Sequence, residues 1–482
     1  MKVGLLEICD GIKSEGKMHS LRSFQFRLFK GETVLIAGGS ILEMDMIVEI
    51  LSGRENLTDG KVTVCGEVVS REGEMTAWRP HIVTIDNIEA VINTVSAADN
   101  FFICSHAEQP FFAADRKNKA ILRELFRKFD VCISEKKPVS EMSSLQIVLF
   151  LILKQYYHEP EKVVLIDRRK ISLSDTEFAE VYRLMGRLKA RGMTFVVLDY
   201  SVNPQWDMLD EIVLIKEAKT VLHADISLLT EKERMALSNE NLQTTAEHFS
   251  EKKRDDVQNI MQMRGVSTFM LHRVDLDLAP GEVAVISYSK YDAARHFFQV
   301  LTGREGIETG AFCIAGRQSR AHTVYERVQE GLDSIDRFGS VSYLYKNMTA
   351  YENFSFRKGM RLKEIWRNRR YKTYLKKMLA EIVGYDVADV KAGELLPIEL
   401  VRVKFQEQKL ARPKVLVCMD PFSSVDAGLR IEMRKQIDAV AANGTGVILL
   451  SSLGPVRRLR QYTQYILTNS GELRRIAPIN AD

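Results

Sequence analysis

The 482-residue chain has few cysteines and no long apolar run. Its six cysteines show no C-x-x-C spacing, so the sequence predicts neither a zinc cluster nor a disulfide framework, and a reducing cytoplasm suits it best. The longest apolar stretch, at 145–153, is about half the length that a bilayer-spanning helix needs. The amino-terminal residues MKVGLLEICDGIK also lack the apolar segment of a secretory signal peptide. We therefore expect a soluble, cytoplasmic protein that reaches a membrane only through a partner.

The chain also has little net charge. Its 68 Lys and Arg against 64 Asp and Glu leave a formal charge of +4, so global electrostatics gives no argument for nucleic acid. Apolar residues make up 45% and charged residues 27%, as in ordinary soluble globular proteins. Because 482 residues exceed what one hydrophobic core normally organises, we expect two large domains.

The sequence does contain an internal duplication. Two Gly-Glu pairs, at 31–32 and 281–282, lie 250 residues apart, and the same offset matches Leu51/Leu301, Gly53/Gly303, Arg54/Arg304, Glu55/Glu305, Gly60/Gly310 and Gly66/Gly316. In each copy an apolar β-type run, at 33–37 or 283–287, precedes a turn and an amphipathic helix. Strand, loop and helix in this order form the phosphate-binding unit of P-loop proteins. The fixed offset predicts two copies of this unit.

A polar, charge-rich stretch separates the copies. We predict domains at 1–235 and 259–482, joined by a charged linker at 236–258. Each half alternates apolar β-type runs, such as KVVLID and PKVLVCMD, with helical stretches. This alternation predicts an α/β fold with a mainly parallel sheet covered by helices. Helical inserts at 101–160 and 352–412 are each expected to form a helical subdomain.

The motif order resembles a known superfamily. GETVLIAGG, ILSGRENLTDG, VSEMSSLQ, KVVLIDRR and FVVLDYS are together similar to a nucleotide-binding domain of the ATP-binding cassette (ABC) superfamily. PKVLVCMDPFSSVDAGLRIEM followed by VILLSSLGP resembles the second cassette of the double-cassette ATPase subunits of ribose, galactose and xylose importers. The resemblance covers nearly the whole chain and implies two tandem P-loop NTPase-like cassettes. It implies ATP and Mg²⁺ as family cofactors, and permease subunits of a sugar ABC transporter, or another cassette protein, as partners at the inner face of the cell membrane.

The first phosphate loop departs from the family pattern. A P-loop needs glycines for close backbone approach, a lysine at the β/γ-phosphates and a hydroxyl on Mg²⁺. The resemblance places Met44 at the lysine position and Asp45 at the hydroxyl position, and two inner glycines are replaced by Ile41 and Glu43. We expect no tight nucleotide binding at this vestigial site. It comprises Gly38, Gly39, Ser40, Met44 and Asp45.

The second phosphate loop keeps none of the glycines. Their positions are taken by Tyr288, Tyr291 and Ala293. Ala294 stands where the family has lysine or arginine. Lys290 and Arg295 lie nearby in sequence, so residual attraction for phosphate stays open, although we favour the interpretation that they are solvated cations on a loop.

The hydrolytic residues are altered as well. In the first half the resemblance keeps Asp167 at the magnesium-associated position, but Arg168 replaces the catalytic glutamate and cannot accept a proton. In the second half Met419 and Asp420 take these two positions, and Asp426 matches the loop that follows. The family's histidine position is occupied by Tyr200 and Ser452.

The signature motif that would contact the γ-phosphate is degraded in both halves. It reads MSSLQ at 142–146, with Ser143 and Gln146 retained, and LLPIE at 395–399, where Pro397 lacks a backbone donor. The repeated turn glycines are thus retained more often than the phosphate-binding and catalytic residues. The combination predicts a pseudo-ATPase with no catalytic or metal-binding residues, in which Asp167 and Asp420 are vestigial.

Three functional hypotheses follow. The leading one is a non-hydrolytic, structural or regulatory subunit of a sugar importer. The alternative is a divergent but active ATPase that energises carbohydrate import through Lys290, Arg295, Asp167 and Asp420. A third is binding of nucleic acid by the basic run at 357–377, which holds ten Lys and Arg and could also meet anionic lipid head groups. We interpret this run as a solvated helical face and predict no nucleic-acid partner.

Overall fold

The computed structural model of the chain divides into two compact units, Met1–Gln243 and Thr244–Asp482. The structure describes residues 3–15, 19–69, 74–86, 91–103, 111–202, 206–240, 258–336, 345, 347–356, 369–423, 425–452 and 462–476. Most of the predicted linker and the first twelve residues of the basic run, 357–368, lie outside the described residues. The predicted domain limits therefore stay a prediction.

The first unit is built on one mixed sheet. Its described strands are β1 (Gly4–Glu15), β2 (His19–Phe29), β3 (Thr33–Gly38), β4 (Asp59–Val64), β5 (Glu67–Val69), β6 (Ile82–Ile85), β7 (Val163–Asp167), β8 (Thr194–Asp199), β9 (Glu211–Lys216) and β10 (Lys219–Asp225). Its described helices are α1 (Ile41–Leu51), α2 (Glu74–Trp78), α3 (Ala97–Phe102), α4 (Phe111–Phe129), α5 (Ser144–His158), α6 (Asp175–Lys189) and α7 (Glu231–Glu240). The sheet order is β5-β4-β1-β2-β10-β9-β3-β8-β7-β6. Strands β9, β3, β8, β7 and β6 run parallel, and β1, β2, β4 and β5 form an antiparallel arm.

The second unit has the same two parts as separate sheets. Its described strands are β11 (Met261–Ser267), β12 (Val274–Leu278), β13 (Val283–Tyr288), β14 (Thr309–Ile314), β15 (Arg317–Gln318), β16 (Leu332–Asp336), β17 (Val415–Met419), β18 (Gly446–Ser452), β19 (Thr463–Leu467) and β20 (Leu473–Arg475). Its described helices are α8 (Tyr291–Thr302), α9 (Val324–Glu330), α10 (Ala350–Phe356), α11 (Arg369–Val383), α12 (Pro397–Ala411) and α13 (Ala427–Ala442). The antiparallel sheet has the order β12-β11-β14-β15, and the mainly parallel sheet has the order β16-β17-β18-β13-β19-β20. The predicted α/β class with a mainly parallel sheet is confirmed.

The duplication predicted from the 250-residue offset is confirmed element by element. Strands β3 and β13, helices α1 and α8, and strands β4 and β14 each begin 250 residues apart. Strands β7 and β17, and β8 and β18, begin 252 residues apart, so Arg168 corresponds to Asp420. Four repeated glycine pairs have positive φ in both copies, as at Gly31 (79°) and Gly281 (71°). Glycine persists there because other residues rarely adopt that conformation.

The central strands are buried on both faces, which explains their continuous apolar sequence. Every residue of β3, β7 and β17 is buried. The apolar run at 145–153 forms most of α5, and its residues are all buried or half-buried. No helix in the described part of the chain has both the length and the apolar character needed to span a membrane.

The two predicted helical inserts are present but organised differently. In the second unit, α10, α11 and α12 share a core of their own, which includes Tyr351, Phe354, Leu379 and Val403. In the first unit, side chains of α3, α4 and α5 belong to the same apolar cluster as the sheet. Only the second insert therefore has a separate hydrophobic core among the described residues.

Candidate functional site

The first candidate site lies where β3 ends and the chain turns into α1. Gly38 and Gly39 both have positive φ, of 84° and 65°. A Cβ atom at Gly38 would come within 2.4 Å of the Ile215 carbonyl oxygen, so the turn requires glycine. The Gly39 N–H donates to that same carbonyl at 2.8 Å. This N–H group of the loop is thus bonded to β9.

The amino terminus of α1 is capped by its own side chains. Ser40 Oγ accepts from the Glu43 N–H (3.3 Å), and Glu43 Oε2 accepts from the Ser40 N–H (2.8 Å), which completes a capping box. A helix amino terminus is normally a favourable place for an anion because its N–H groups are free. Here the carboxylate of Glu43, at a family glycine position, already occupies it. Met44, at the lysine position, is fully buried.

Arg169 joins three residues at family site positions: Asp45 at the hydroxyl position, Asp167 at the magnesium-associated position and Tyr200 at the histidine position. Its Nε and Nη2 donate to Asp167 Oδ1 and Oδ2, both at 2.8 Å, and Nη2 also donates to Asp45 Oδ1 at 2.9 Å. Its Nη1 donates to the Tyr200 hydroxyl at 3.1 Å. Arg169, Asp167 and Tyr200 are buried, whereas the Asp45 side chain is 47% exposed. Lys170 Nζ lies 3.7 Å from Asp167 Oδ2 and 4.0 Å from Asp45 Oδ1.

Burial and neighbouring groups shift the pKa values of Arg169 and Tyr200. Burial lowers the pKa of Arg169, but Tyr200, Asp167 and Asp45 outweigh burial and leave that pKa above its ordinary value. Burial also raises the pKa of Tyr200, so its hydroxyl stays protonated at neutral pH. Sequence reasoning missed Arg169. The available signal was a second arginine directly after Asp167 and Arg168.

Arg168, at the catalytic glutamate position, is held in a second ion-pair cluster. Its Nη1 donates to Asp199 Oδ2 at 2.7 Å, its Nη2 pairs with Asp175, and its guanidinium lies 4.6 Å from the centroid of the Phe178 ring. Burial lowers the pKa of Arg168, but Asp199 and Asp175 outweigh burial and raise it. Burial raises the pKa of Asp199. A permanently charged guanidinium therefore stands where a proton acceptor would be needed.

The second candidate site is filled by aromatic and apolar side chains. Tyr288 lies at the end of β13 with its ring in the apolar core, together with Tyr291 and Ala294. The Tyr288 hydroxyl donates to the buried carboxylate of Asp420, whose other oxygen accepts from the Ser452 N–H at 3.3 Å. Asp420, at the catalytic glutamate position, is thus hydrogen-bonded to neighbouring groups of the protein.

The two cations proposed for the second loop differ in their surroundings. Lys290 precedes α8 and is exposed, and its side chain makes no cap at that helix. Arg295 is half-buried, forms an ion pair with Asp336, and lies 5.6 Å from the centroid of the Phe298 ring. Arg295 is therefore paired with the last residue of β16.

The signature residues and Asp426 serve as helix caps. Ser143 and Gln146 form a capping box at α5, each N–H donating to the other side chain at 3.1 Å. At α12 the Leu396 N–H donates to Glu399 Oε2 at 2.8 Å. Asp426 Oδ1 accepts from the Leu429 N–H at 2.8 Å and caps α13. In the part of the chain that the structure describes, no group of three or more His, Cys, Asp or Glu is arranged to hold a metal ion.

Comparison with known sequences identifies relatives over most of the chain. No family model matches. A ribose import ATP-binding protein of Agrobacterium fabrum is 22% identical over 469 residues, covering 91% of this chain and 88% of its own length. A xylose import ATP-binding protein of Geobacillus kaustophilus is 21% identical (94% and 92%), and a galactose/methyl galactoside import ATP-binding protein of Haemophilus influenzae is 20% identical (85% and 82%). The homologues are thus ATP-binding proteins of sugar import systems, at about 21% identity.

Comparison with solved structures extends across both units. An archaeal ribosome recycling factor, aABCE1, in complex with the ribosomal stalk protein aP1, matches with a TM-score of 0.53 at 14% identity, covering 97% of this chain and 89% of that one. An RNase-L inhibitor matches with a TM-score of 0.51 at 15% identity, covering 98% and 90%. At such identities these matches inform on fold alone. The chain has the fold of two tandem ATP-binding cassettes.

Proposed function

We propose that the chain is a cassette subunit of a sugar import assembly and that it acts without hydrolysing ATP, as a structural or regulatory component. The import role is supported by relatives named for ribose, xylose and galactose import, which the chain matches over both cassettes. Its partners are then the membrane permease subunits of the transporter, or another cassette protein. It would sit peripherally at the inner face of the cell membrane.

One observation carries the non-hydrolytic part of the proposal: both surviving acidic positions are bonded within the protein. Asp167 is held by Arg169, and Asp420 by the hydroxyl of Tyr288. Phosphoryl transfer in P-loop enzymes depends on a metal ion that bridges the phosphates and on a residue that positions the attacking water. Arg168 supplies no base. General-base and electrostatic contributions are each worth about 10²–10⁴ in rate, so their combined loss leaves negligible hydrolysis.

The alternative, a divergent ATPase that energises carbohydrate import, needs other groups to bind the phosphates. Lys290 is exposed and available for such a role, but Arg295 is paired with Asp336 and lies against an aromatic ring. Phosphate would have to compete with Asp336 for Arg295. No observation on the described residues favours this alternative over the first proposal.

The test is phosphate release by the purified full-length protein with Mg²⁺ and ATP, alone and with the permease subunits encoded by neighbouring genes. We expect no release above background and co-purification with the permease. Matched variants, Asp167→Ala and Asp420→Ala, should leave the background unchanged. Magnesium-dependent release that disappears in either variant would overturn the non-hydrolytic proposal in favour of the ATPase. Failure to associate with any permease would overturn the import role.

A further inference from the structure

We propose that Arg169 is a built-in counter-cation that closes the first cassette site: its guanidinium occupies the place between Asp45 and Asp167 that a divalent metal ion would otherwise take. This proposal rests on the proposed loss of hydrolysis, because it explains why the first site would bind no metal ion. It is tested by the thermal stability of the protein, whereas the proposed function is tested by phosphate release.

The geometry is that of a chelated cation. Two nitrogens of Arg169 meet both carboxylate oxygens of Asp167, and one of them also reaches Asp45. Bidentate pairs of this kind are among the strongest charge-assisted hydrogen bonds in proteins. Because Asp45 belongs to α1 and Asp167 ends β7, the guanidinium ties the phosphate-loop helix to the central sheet. Its remaining nitrogen, Nη1, donates to the hydroxyl of Tyr200, the residue directly after β8.

The charges balance as they would with a divalent ion. Asp45 and Asp167 carry two negative charges, and Arg169 with Lys170 supplies two positive ones within 4.0 Å. Asp167 has no solvent exposure, and a buried carboxylate without a partner is strongly unfavourable. Carboxylate oxygens are also what Mg²⁺ prefers as ligands. Removing the two cations therefore leaves a pair of carboxylates suited to a metal ion.

The second cassette provides an internal comparison. At the positions corresponding to Asp45, Asp167 and Arg169 it has Arg295, Met419 and Pro421. Where the two carboxylates are absent, the closing arginine is absent too. The three residues thus change together between copies of one fold, as expected if Arg169 is there to balance the carboxylates.

The experiment measures thermal unfolding of the full chain and of the double variant Arg169→Gln/Lys170→Gln, with MgCl₂ or with NaCl of equal ionic strength. The wild-type Tm should not respond to Mg²⁺. The double variant should unfold at a temperature lower by about 6–20 °C, because a buried carboxylate has lost its partners. Saturating Mg²⁺ should raise its Tm by about 5 °C or more.

The matched control adds Asp45→Asn to the double variant, which removes one of the two carboxylates and should abolish the response to Mg²⁺. A double variant as stable as the wild type would overturn the inference, and so would destabilisation without an Asp45-dependent response to Mg²⁺. If the double variant folds only with Mg²⁺ present, the folded yield replaces Tm and supports the inference; an equally poor yield with and without Mg²⁺ counts against it. ATP hydrolysis by the wild type would overturn the proposed function without altering these Tm shifts.

Discussion

Restoring the family's catalytic residue type by Arg168→Glu should damage the first cassette and should not create an ATPase. Arg168 contacts Asp199 and Asp175 and lies over the Phe178 ring. The substitution removes both ion pairs and places a third carboxylate beside two existing ones. The side chains of Arg168 and Asp199 are only 10% and 14% exposed, so water gives the carboxylates little screening.

The size of the effect follows from this burial. Removing one partner of a buried ion pair costs about 3–5 kcal/mol, and a like charge adds to that cost. For a unit of this length each kcal/mol lowers Tm by about 2–4 °C, so we expect a loss of about 6–20 °C or more. The matched control is Arg183→Glu in helix α6, where the partner Glu180 and Arg183 are both about half exposed. Replacing that exposed ion pair by two like charges should lower the free energy of unfolding by about 1 kcal/mol or less.

The pH dependence gives a second check, through the milder variant Arg168→Gln. Burial raises the pKa of Asp199, and Arg168 is the main influence that lowers it. An acid whose pKa is raised on folding gives stability that is present below its unfolded pKa and is lost as the pH rises through its folded pKa. Without Arg168 the pKa of Asp199 rises further, so the deficit of Arg168→Gln against the wild type should shrink as the pH falls from about 8 to about 5.

Differential scanning calorimetry of wild type, Arg168→Glu, Arg168→Gln and Arg183→Glu, with phosphate release measured in parallel, decides the matter. The reasoning is refuted if Arg168→Glu melts within about 2 °C of the wild type, because the ion pairs would then carry no stability. It is also refuted if Arg168→Glu releases phosphate from Mg²⁺-ATP.

Three further predictions concern other parts of the chain. The double change Met44→Lys with Asp45→Ser should not restore micromolar ATP binding in calorimetry, because the Met44 side chain is fully buried and the inner glycines are still missing; micromolar binding would show that charge alone was lacking. Gln408 is fully buried and both its amide atoms lack a hydrogen-bond partner among the described residues, so Gln408→Met should raise the free energy of unfolding by about 1–3 kcal/mol, and a decrease in chemical denaturation would contradict this. Burial raises the pKa of Glu211, but His223, which hydrogen-bonds Glu211 at 2.6 Å, and Arg27 together outweigh burial and leave that pKa below its ordinary value. The stabilisation is present above the unfolded pKa of about 4.5 and is lost as the pH falls through the lower folded pKa. The free energy of unfolding, measured at about pH 6 and about pH 3, should therefore fall less on acidification in Glu211→Gln than in the wild type.

The sequence was sufficient for the repeating frame of the fold. Strands β3 and β13 are buried on both faces, so their continuous apolar sequence identifies them without further information. The glycines at 31 and 281 mark turns with positive φ, which few other residues adopt, so their spacing reveals the duplication. Apolar strand patterns and turn glycines depend only on residues that are close in sequence. They can therefore be recognised in one sequence without a structure.

The sequence was not sufficient for what fills the two sites. Comparison with the family's motifs shows which motif residues are replaced, such as the lysine replaced by Met44. It does not show which side chains of this chain contact the remaining site residues. Arg169 reaches Asp45 across 124 residues, and Tyr288 reaches Asp420 across 132. Such pairings depend on the register of β7 beside β8 and of β17 beside β18, which no local pattern specifies.

The two cassettes meet one physical requirement by different means. At the carboxyl end of a parallel sheet, helix amino termini and strand-end carboxylates need partners, and in a P-loop enzyme the nucleotide and its metal ion supply them. In the first cassette the partners are charged: Glu43 caps α1, and Arg169 neutralises Asp167. In the second, the Tyr288 side chain lies in the apolar core and its hydroxyl donates to Asp420. Each set of contacts lies within its own unit and pairs groups that a nucleotide and its metal ion would pair in a P-loop enzyme, so the proposed non-hydrolytic subunit would need neither for this pairing.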